Sequence, residues 1–321
     1  MTGRRYAATL VAALASLLVA CSDEPPAGRQ SGPTDATTAG ASPAPPSSEQ
    51  SARATLAAPQ QARRPGELAR RLVAAEDRVR DTSGPEIERV QAAFETQVLY
   101  RQLARRTGWQ KAALAAAGRY RAAFADHIEA RTRLRSVLTR LSDELPAWRV
   151  VAPEPVARLR QHYREGERTF GVPWEVLAAV NLVETGFGKI RGYSTAGARG
   201  PMQFIPSTWE QYGEGDIDDP RDSILAAARY LAANGGDAPA GLDGALHAYN
   251  HHDGYVRGVR AYARILERDP AALEVLYRWQ IIYLSERGDL WLPQGYLRRA
   301  PLPVARYVAQ HPERALGAAT D

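Results

Sequence analysis

Apolar residues recur every three or four positions between residues 66 and 145, which is the spacing of one buried helix face. They are Leu68, Leu72, Val79, Ile87, Val90, Phe94, Val98, Tyr120, Phe124, Ile128, Leu134 and Leu138. Ser83-Gly84-Pro85-Glu86 has the form of a capping box and predicts a helix start. Gly108 predicts a break between two long helices, so we expect a helical hairpin here.

The helical spacing continues in the next part of the chain. Val156 to Phe170 predicts one helix, and the apolar run that follows Pro173 predicts a second, buried one. Gly186 and Gly188 are expected to end the second helix. Glu184 therefore falls in its last turn, where the helix opens onto a loop.

Capping signals predict further helices. Ser207-Thr208-Trp209-Glu210 fits a capping box, and Asp219-Pro220 fits an N-cap followed by proline at the first helical position. The helix after Pro220 is expected to end at Asn234-Gly235-Gly236. Leu242 to Asn250 predicts another helix. Asp253 is expected to cap the next one, with these side chains facing inwards: Tyr255, Val259, Tyr262 and Leu266.

The last regular element predicted is a small β-hairpin. Trp279 to Leu284 and Leu290 to Leu292 flank Glu286-Arg287-Gly288-Asp289, which has the composition of a turn. The predicted fold class is therefore mainly α, with this hairpin on the C-terminal side. We expect a helical region at 66–150, a main helical domain at 151–295 and a C-terminal tail at 296–321.

The first 65 residues differ in composition from the rest. Residues 1–20 combine a short basic start with a short apolar core, as in a secretory signal peptide. The run Leu18-Val19-Ala20-Cys21 matches the lipobox of bacterial lipoproteins, and Cys21 is the only cysteine. Lipidation of Cys21 would anchor the chain to a membrane. Residues 21–65, rich in Pro, Ala and Ser, are predicted to be a disordered tether.

Charge adds little to this interpretation. The formal net charge is +5, and loss of Arg4 and Arg5 with the signal peptide lowers it to +3. Arginines on the predicted N-terminal helices could face an anionic wall polymer or lipid headgroup, but interleaved Glu and Asp favour an ordinary solvated face. They are Arg101, Arg105, Arg106, Arg119, Arg121, Arg131, Arg133 and Arg135.

Other classes of site find little support. No nucleic-acid motif occurs, so no nucleic-acid partner is expected. Gly186-x-Gly188 follows a helix rather than a strand, which argues against a dinucleotide loop. His251 and His252 are adjacent and lack further ligands, so we expect hydrogen bonding at a cleft rim rather than a metal site. Neither a metal nor another cofactor is expected.

Glu184 is the strongest candidate for chemistry, because a carboxyl buried at a helix end has a raised pKa and can act as a general acid. Glu184-Thr185-Gly186-Phe187-Gly188, then Gly197 to Trp209, then Ala248-Tyr249-Asn250, resemble the catalytic segment of lytic transglycosylases of the lysozyme-like superfamily. The resemblance covers residues 155–295 and implies a lysozyme-like α domain there. Thr185 stands where many members carry Ser.

The resemblance implies cleavage of peptidoglycan between N-acetylmuramic acid and N-acetylglucosamine. Glu184 would first donate a proton to the glycosidic oxygen and then accept one from the C6 hydroxyl, which attacks C1 and leaves a 1,6-anhydro end. Because the nucleophile is internal, one carboxylate is enough. The resemblance also implies that Tyr249 hydrogen-bonds Glu184 and that Gly197 and Gly200 let the backbone approach the glycan. The implied substrate-binding residues are Thr185, Met202, Gln203, Phe204, Tyr249 and Asn250.

Two alternatives stay open. A lysozyme-type hydrolase on the same fold would need a second carboxylate, for which Glu214, Asp216, Asp218 and Asp219 are candidates. A non-catalytic wall-binding lipoprotein is the other alternative. In either case the chain is expected in the cell envelope, lipid-anchored on the extracytoplasmic side of a membrane. The expected partners are glycan strands, the membrane and cell-wall assembly proteins.

Overall fold

The computed structural model describes residues 56–317. The predicted signal peptide, Cys21 and most of the predicted tether lie outside the described residues. Within that range the structure has twelve α-helices and three two-stranded sheets, which confirms the mainly helical fold class. None of the helices in that range has the length and apolar character needed to cross a membrane.

The N-terminal region forms four helices rather than a hairpin of two. The break after the second helix lies at Arg106, and Gly108 belongs to the first turn of the third helix. The second helix begins at Glu86, but the predicted capping box does not form. The hydroxyl of Ser83 donates to Asp81 and does not cap the helix. The four helices are α1 (Pro65–Arg80), α2 (Glu86–Arg105), α3 (Thr107–Ala116) and α4 (Arg121–Ser136).

The described end of the predicted tether packs against the body. The backbone N–H and carbonyl of Ala62 both bond to the side-chain amide of Gln102, over 2.9 and 2.7 Å. The amide of Gln61 donates to the carbonyl of Leu316 over 2.8 Å. The prediction of a disordered tether therefore does not hold for residues 56–64, whose polar backbone groups find partners in the fold.

Eight helices follow, and local signals predicted most of their ends. Asp219 caps its helix by accepting from the N–H of Asp222 over 3.0 Å, as predicted. The helix that begins at Asp253 is capped by His252 rather than by the predicted Asp253. Nδ1 of His252 accepts from the N–H of Gly254 over 2.8 Å. The predicted capping box at Ser207 is absent, since that helix starts at Pro206 without a side-chain cap. The eight are α5 (Val156–Phe170), α6 (Trp174–Thr185), α7 (Pro206–Tyr212), α8 (Pro220–Ala233), α9 (Leu242–Tyr249), α10 (Asp253–Arg268), α11 (Ala272–Tyr277) and α12 (Val304–Gln310).

Three antiparallel strand pairs complete the fold. The predicted hairpin is confirmed: β4 pairs with β5 across a turn at Glu286 and Arg287, with Ile281 opposite Leu292. The described residues of the predicted tail belong to the body, because Tyr307 is buried and its hydroxyl donates to the carbonyl of Trp291 over 2.8 Å. The strands are β1 (Glu144–Leu145) with β6 (Leu302–Pro303), β2 (Arg149–Val150) with β3 (Ile190–Arg191), and β4 (Ile281–Ser285) with β5 (Gly288–Leu292).

One hydrophobic core crosses the predicted boundary at residue 150. Helix α4 packs closely on α10 because α10 carries glycine at the contact. A Cβ on Gly258 would lie 2.6 Å from Cγ of Leu134, and one on Gly254 would lie 2.6 Å from the carbonyl oxygen of Arg133. The N-terminal helices therefore position α10, which carries a residue of the site described next.

Candidate active site

Helix α6 places Glu184 in the interior of the protein. Apolar side chains cover nearly all of its sides, so the helix is buried rather than amphipathic. It ends at Gly186, which adopts a left-handed conformation with φ of 61° that glycine accommodates without strain. Glu184 lies in the last turn, as predicted, and only 3% of it is exposed.

The surroundings of Glu184 favour its neutral form. Burial raises the pKa of the carboxyl to about 8, because a poorly solvated carboxylate is unfavourable. The hydroxyl of Tyr255, which donates to Oε1 over 2.8 Å, acts in the opposite direction. No ion pair to Glu184 occurs within residues 56–317. The carboxyl is therefore protonated near neutral pH and can act as a proton donor.

Tyr249 does not form the predicted bond to Glu184. Its hydroxyl donates to the carbonyl of Met202 over 2.6 Å. Its ring lies parallel to that of Tyr255, with 6.3 Å between the centroids. Tyr249 therefore ties α9 to the loop before α7 and supports the tyrosine that does contact the acid. The sequence places Tyr255 only as an inward-facing helix residue, and no local motif marks it as part of the site.

Thr185 joins the end of α6 to the loop that follows. Its hydroxyl donates to the carbonyl of Pro201 over 2.6 Å and accepts from the N–H of Gly188 over 2.9 Å. The amide of Asn181 reaches the same carbonyl of Pro201 over 2.8 Å. Because Thr185 is fully buried, its contacts are to the protein and it serves to position the loop.

The segment from Arg199 to Phe204 is a tight loop. The backbones of these two residues exchange hydrogen bonds of 3.0 Å in both directions. Within the loop, Met202 is fully buried, so its side chain belongs to the core rather than to a cleft wall. Gln203 has a left-handed φ of 52°, which is strained for a residue with a side chain, and its Nε2 donates to the carbonyl of Gly200 over 3.0 Å. Phe204 is 3% exposed and makes an edge contact with the ring of Trp209.

Gly197 and Gly200 differ in what surrounds them. Gly200 has a φ of 79°, and a Cβ there would lie 2.0 Å from the carbonyl oxygen of Ile217. The close approach at Gly200 is therefore to the protein's own backbone. Gly197 has a φ of 77°, and a Cβ there would meet no atom within 4 Å, so Gly197 borders open space.

Asn250 and the two histidines lie at the start of α10. The Nδ2 atom of Asn250 is buried and has no hydrogen-bond partner in the described part of the chain. The backbone carbonyl of Asn250 accepts from the N–H of His252 over 2.6 Å, which stabilises this turn. Nδ1 of His252 accepts the hydrogen bond from the N–H of Gly254 that caps α10. Among residues 56–317 no group of three or more His, Cys, Asp or Glu side chains is arranged for a metal ion.

The four candidate second carboxylates are engaged away from Glu184. Glu214 is largely exposed and pairs with Arg229 over 2.9 Å. Asp216 accepts from the backbone N–H of Asp218 over 2.9 Å, the carboxylate of Asp218 lies 3.9 Å from Nη2 of Arg199, and Asp219 caps α8. Tyr255 is the side chain that hydrogen-bonds Glu184.

The comparisons with known proteins agree with this site. Residues 161–270 match the family described as "Transglycosylase SLT domain", which confirms the resemblance for a segment that contains α6, the Arg199–Phe204 loop, α9 and α10.

Curated relatives are similar over part of the chain. "Membrane-bound lytic murein transglycosylase F" of Thiobacillus denitrificans is 32% identical over 124 residues, which is 37% of this chain and 26% of that protein. "Membrane-bound lytic murein transglycosylase F 2" of Alkalilimnicola ehrlichii is 31% identical over 171 residues, 51% of this chain and 35% of that protein. "Membrane-bound lytic murein transglycosylase F" of Maricaulis maris is 33% identical over 171 residues, which is 51% of this chain and 37% of that protein. The chain thus spans only 26% to 37% of the length of these relatives.

Proposed function

We propose that this chain, whose residues 161–270 form a transglycosylase SLT domain, is a lytic transglycosylase that cleaves the glycan strands of peptidoglycan. The observation that carries the proposal is the buried carboxyl of Glu184, hydrogen-bonded by Tyr255 inside that segment, with burial raising its pKa. The relatives named as lytic murein transglycosylases support the same activity.

The proposed reaction uses Glu184 twice. Its carboxyl proton goes to the oxygen that links C1 of N-acetylmuramic acid to the N-acetylglucosamine leaving group, and the C1–O bond breaks. The 2-acetamido group of the muramic residue stabilises C1. The carboxylate then removes the proton of the C6 hydroxyl, whose oxygen bonds to C1. Glu184 is reprotonated, and neither water nor a cofactor is consumed, so the reaction is of the lyase type.

The environment of Glu184 suits both halves of this cycle. Burial keeps the carboxyl protonated before reaction, which the acid step requires. The hydroxyl of Tyr255 stabilises the carboxylate formed afterwards, because it donates to Oε1. Gln203, Tyr249 and Asn250 are proposed to contribute to glycan binding, whereas Thr185, Met202 and Phe204 act by holding the loop and the core beside the acid.

The partners of Glu214, Asp216, Asp218 and Asp219 are Arg229, a backbone N–H, Arg199 and the N-terminus of α8, which favours this mechanism over a hydrolase with a second carboxylate. Mass spectrometry of products from purified wall tests the proposal. A lytic transglycosylase releases 1,6-anhydromuramic ends, which are one water lighter than the reducing ends left by a hydrolase. Reducing ends as the main product would assign the chain to the hydrolases, and no cleavage would favour the wall-binding alternative.

The location of the protein is proposed separately. We propose an envelope protein anchored through lipidated Cys21 on the extracytoplasmic side of a membrane, with cell-wall assembly proteins as further partners. The relatives are named membrane-bound, which supports a membrane location. Cys21→Ser should move the protein out of the membrane fraction while the purified enzyme keeps its turnover. Unchanged detergent partitioning would exclude the lipid anchor.

A further inference from the structure

A groove of about 250 Å³ lies between the N-terminal helices and the end of α6. It borders the catalytic acid without including it: Val183 and Gly186, close neighbours of Glu184 on α6, form part of its wall. Tyr262, two turns along α10 from Tyr255, forms another part. Apolar side chains cover most of the surface, among them Leu134, Leu138, Leu182, Ile281 and Leu284.

The polar side chains of this groove are mainly cationic. Four guanidinium groups and one ammonium group line it, and no carboxylate is among the lining groups that the structure describes. They belong to Arg101, Arg105, Arg131, Arg135 and Lys189. The carboxylate of Asp289 lies close by and forms ion pairs with both Arg101 and Arg105. The ion pair to Arg105 measures 2.6 Å.

Several of these cationic groups have unused hydrogen-bonding capacity. Nη2 of Arg131 and Nε of Arg105 are buried and have no hydrogen-bond partner within residues 56–317. The guanidinium of Arg131 lies 6.0 Å from the ring centroid of Trp279. Lys189 donates to the carbonyls of Trp279, over 2.5 Å, and Tyr277, and burial lowers the pKa of its ammonium to about 7. Buried donors without partners are unfavourable unless a ligand satisfies them.

The groove therefore matches a ligand with an aliphatic body and carboxylate groups. In a peptidoglycan strand the two sugars are neutral, and the carboxylates lie on the stem peptide attached to the lactyl group of muramic acid. That attachment point is on the sugar whose C1 bond Glu184 is proposed to cleave. Val183 and Gly186, which lie close to Glu184 in sequence, line the groove, so the groove and the acid are on neighbouring parts of α6.

We propose that this groove binds the carboxylate-bearing stem peptide of the muramic residue that lies at Glu184. The inference rests on the proposed function and adds a substrate preference to it: strands with peptides are preferred over bare glycan. The four arginines lie outside residues 161–270, so this preference comes from α2 and α4 rather than from the matched domain. It gives the N-terminal helices a role in recognition.

Kinetics on two substrates test the proposal with the full chain. One substrate is purified glycan strands with stem peptides, and the other is the same strands after an amidase has removed the peptides. Arg131→Gln should raise KM for peptide-bearing strands about three- to tenfold, as expected for loss of a charge-assisted hydrogen bond at a partly solvated site. Its kcat, and its KM for bare strands, should stay near wild type, and Arg131→Lys should recover part of the loss.

Arg133→Gln is the matched control, because Arg133 is an exposed arginine of α4 that does not line the groove. It removes the same charge and should leave both KM values unchanged. An equal effect of Arg131→Gln and Arg133→Gln, or an equal effect of Arg131→Gln on both substrates, would overturn the inference.

A binding measurement separates failure of this inference from failure of the proposed function. The free tetrapeptide L-Ala-γ-D-Glu-meso-diaminopimelate-D-Ala is titrated into the full chain, and binding is followed by NMR. Binding that is lost in Arg131→Gln, and lost when the peptide carboxylates are amidated, supports the groove even if neither glycan is cleaved. No binding by wild type, or equal binding by Arg131→Gln, contradicts it. Loss of sedimentation with phosphatidylglycerol vesicles in Arg131→Gln, without any effect on the peptide, would assign the groove to lipid headgroups instead.

Discussion

Tyr255 donates a hydrogen bond of 2.8 Å to Oε1 of Glu184, which joins the first turn of α10 to the last turn of α6. Both residues are almost fully buried. Since Oε1 accepts this bond, Oε2 is the oxygen left to carry the transferable proton of the neutral acid. The bond therefore fixes the orientation of the carboxyl as well as stabilising its charged form.

Glu184→Gln should fold normally and lose turnover by about a hundredfold or more, because the amide has nearly the same shape but cannot donate an acidic proton. Release of soluble muropeptides from purified wall measures the loss. Glu210→Gln, which changes an exposed carboxylate of α7, should retain wild-type turnover. A Glu184→Gln enzyme that keeps more than about a tenth of the activity would exclude Glu184 as the acid.

The same substitution should stabilise the fold in a pH-dependent way. Below pH 4.5 Glu184 is protonated in the folded and unfolded states, so it adds no pH dependence. Between pH 4.5 and about pH 8 only the unfolded state ionises, so wild-type stability falls as pH rises, and above that range the loss is constant. Relative to wild type, Glu184→Gln should gain about 2–5 kcal/mol across this window. Urea unfolding at about pH 4, 6.5 and 9 measures it, and a difference independent of pH would contradict the raised pKa.

Tyr255→Phe should raise the pKa of Glu184 further, because it removes the hydrogen bond that favours the carboxylate. The alkaline limb of the kcat/KM profile should move to higher pH, and kcat should fall about tenfold because the carboxyl loses its orientation. Tyr249→Phe is the control, since that hydroxyl bonds to the carbonyl of Met202. It should leave the alkaline limb in place, and a shift in Tyr249→Phe alone would reverse the two assignments.

The sequence predicted those features of the fold that depend on neighbouring residues. The limits of α5, the Asp219 cap and the β4–β5 hairpin all follow from local signals and agree with the structure. Arg106 was missed as the break before α3 because no glycine or proline marks it, and the break arises where α3 turns back to pack on α1.

In the candidate site, too, the sequence predicted the feature that depends on neighbouring residues but not the one that depends on packing between distant helices. The position of Glu184 at the end of a buried helix follows from the apolar run and from Gly186. Its contact with Tyr255 spans 71 residues and depends on how α10 packs across α6. The helical period of α10 marks Tyr255 and Tyr262 as buried, but it does not distinguish which of them reaches the acid.

Glu214→Ala, Asp216→Ala and Asp218→Ala should each leave turnover within several-fold of wild type. Glu214 pairs with Arg229, Asp216 accepts from the backbone N–H of Asp218, and Asp218 lies 3.9 Å from Arg199, so their described partners do not include Glu184. A carboxylate that activates water would cost about a hundredfold or more when removed. Turnover and product mass are measured together, since a large loss in one variant combined with reducing muramic ends would indicate a hydrolase.

Gly200→Ala should destabilise the fold by about 3 kcal/mol or more, because it adds a clash with the carbonyl of Ile217 to the strain of a left-handed residue. Gly197→Ala is the matched control: its φ is nearly the same, but its Cβ meets open space. It should cost only about 1 kcal/mol. Urea unfolding of both variants isolates the clash, and equal losses would show that conformation alone requires glycine at residue 200.

The glycines of α10 that allow α4 to pack closely determine how this chain can be joined to other proteins. The family match is confined to residues 161–270, which suggests a unit that could be moved between proteins. One side of α10, however, packs against Leu134 and the backbone carbonyl of Arg133 in α4. A gene fusion cut at residue 161 would leave that side of α10 open to water beneath the tyrosine that orients the acid. A fusion that keeps this side of α10 covered therefore has to begin upstream of α4 or supply other side chains in its place.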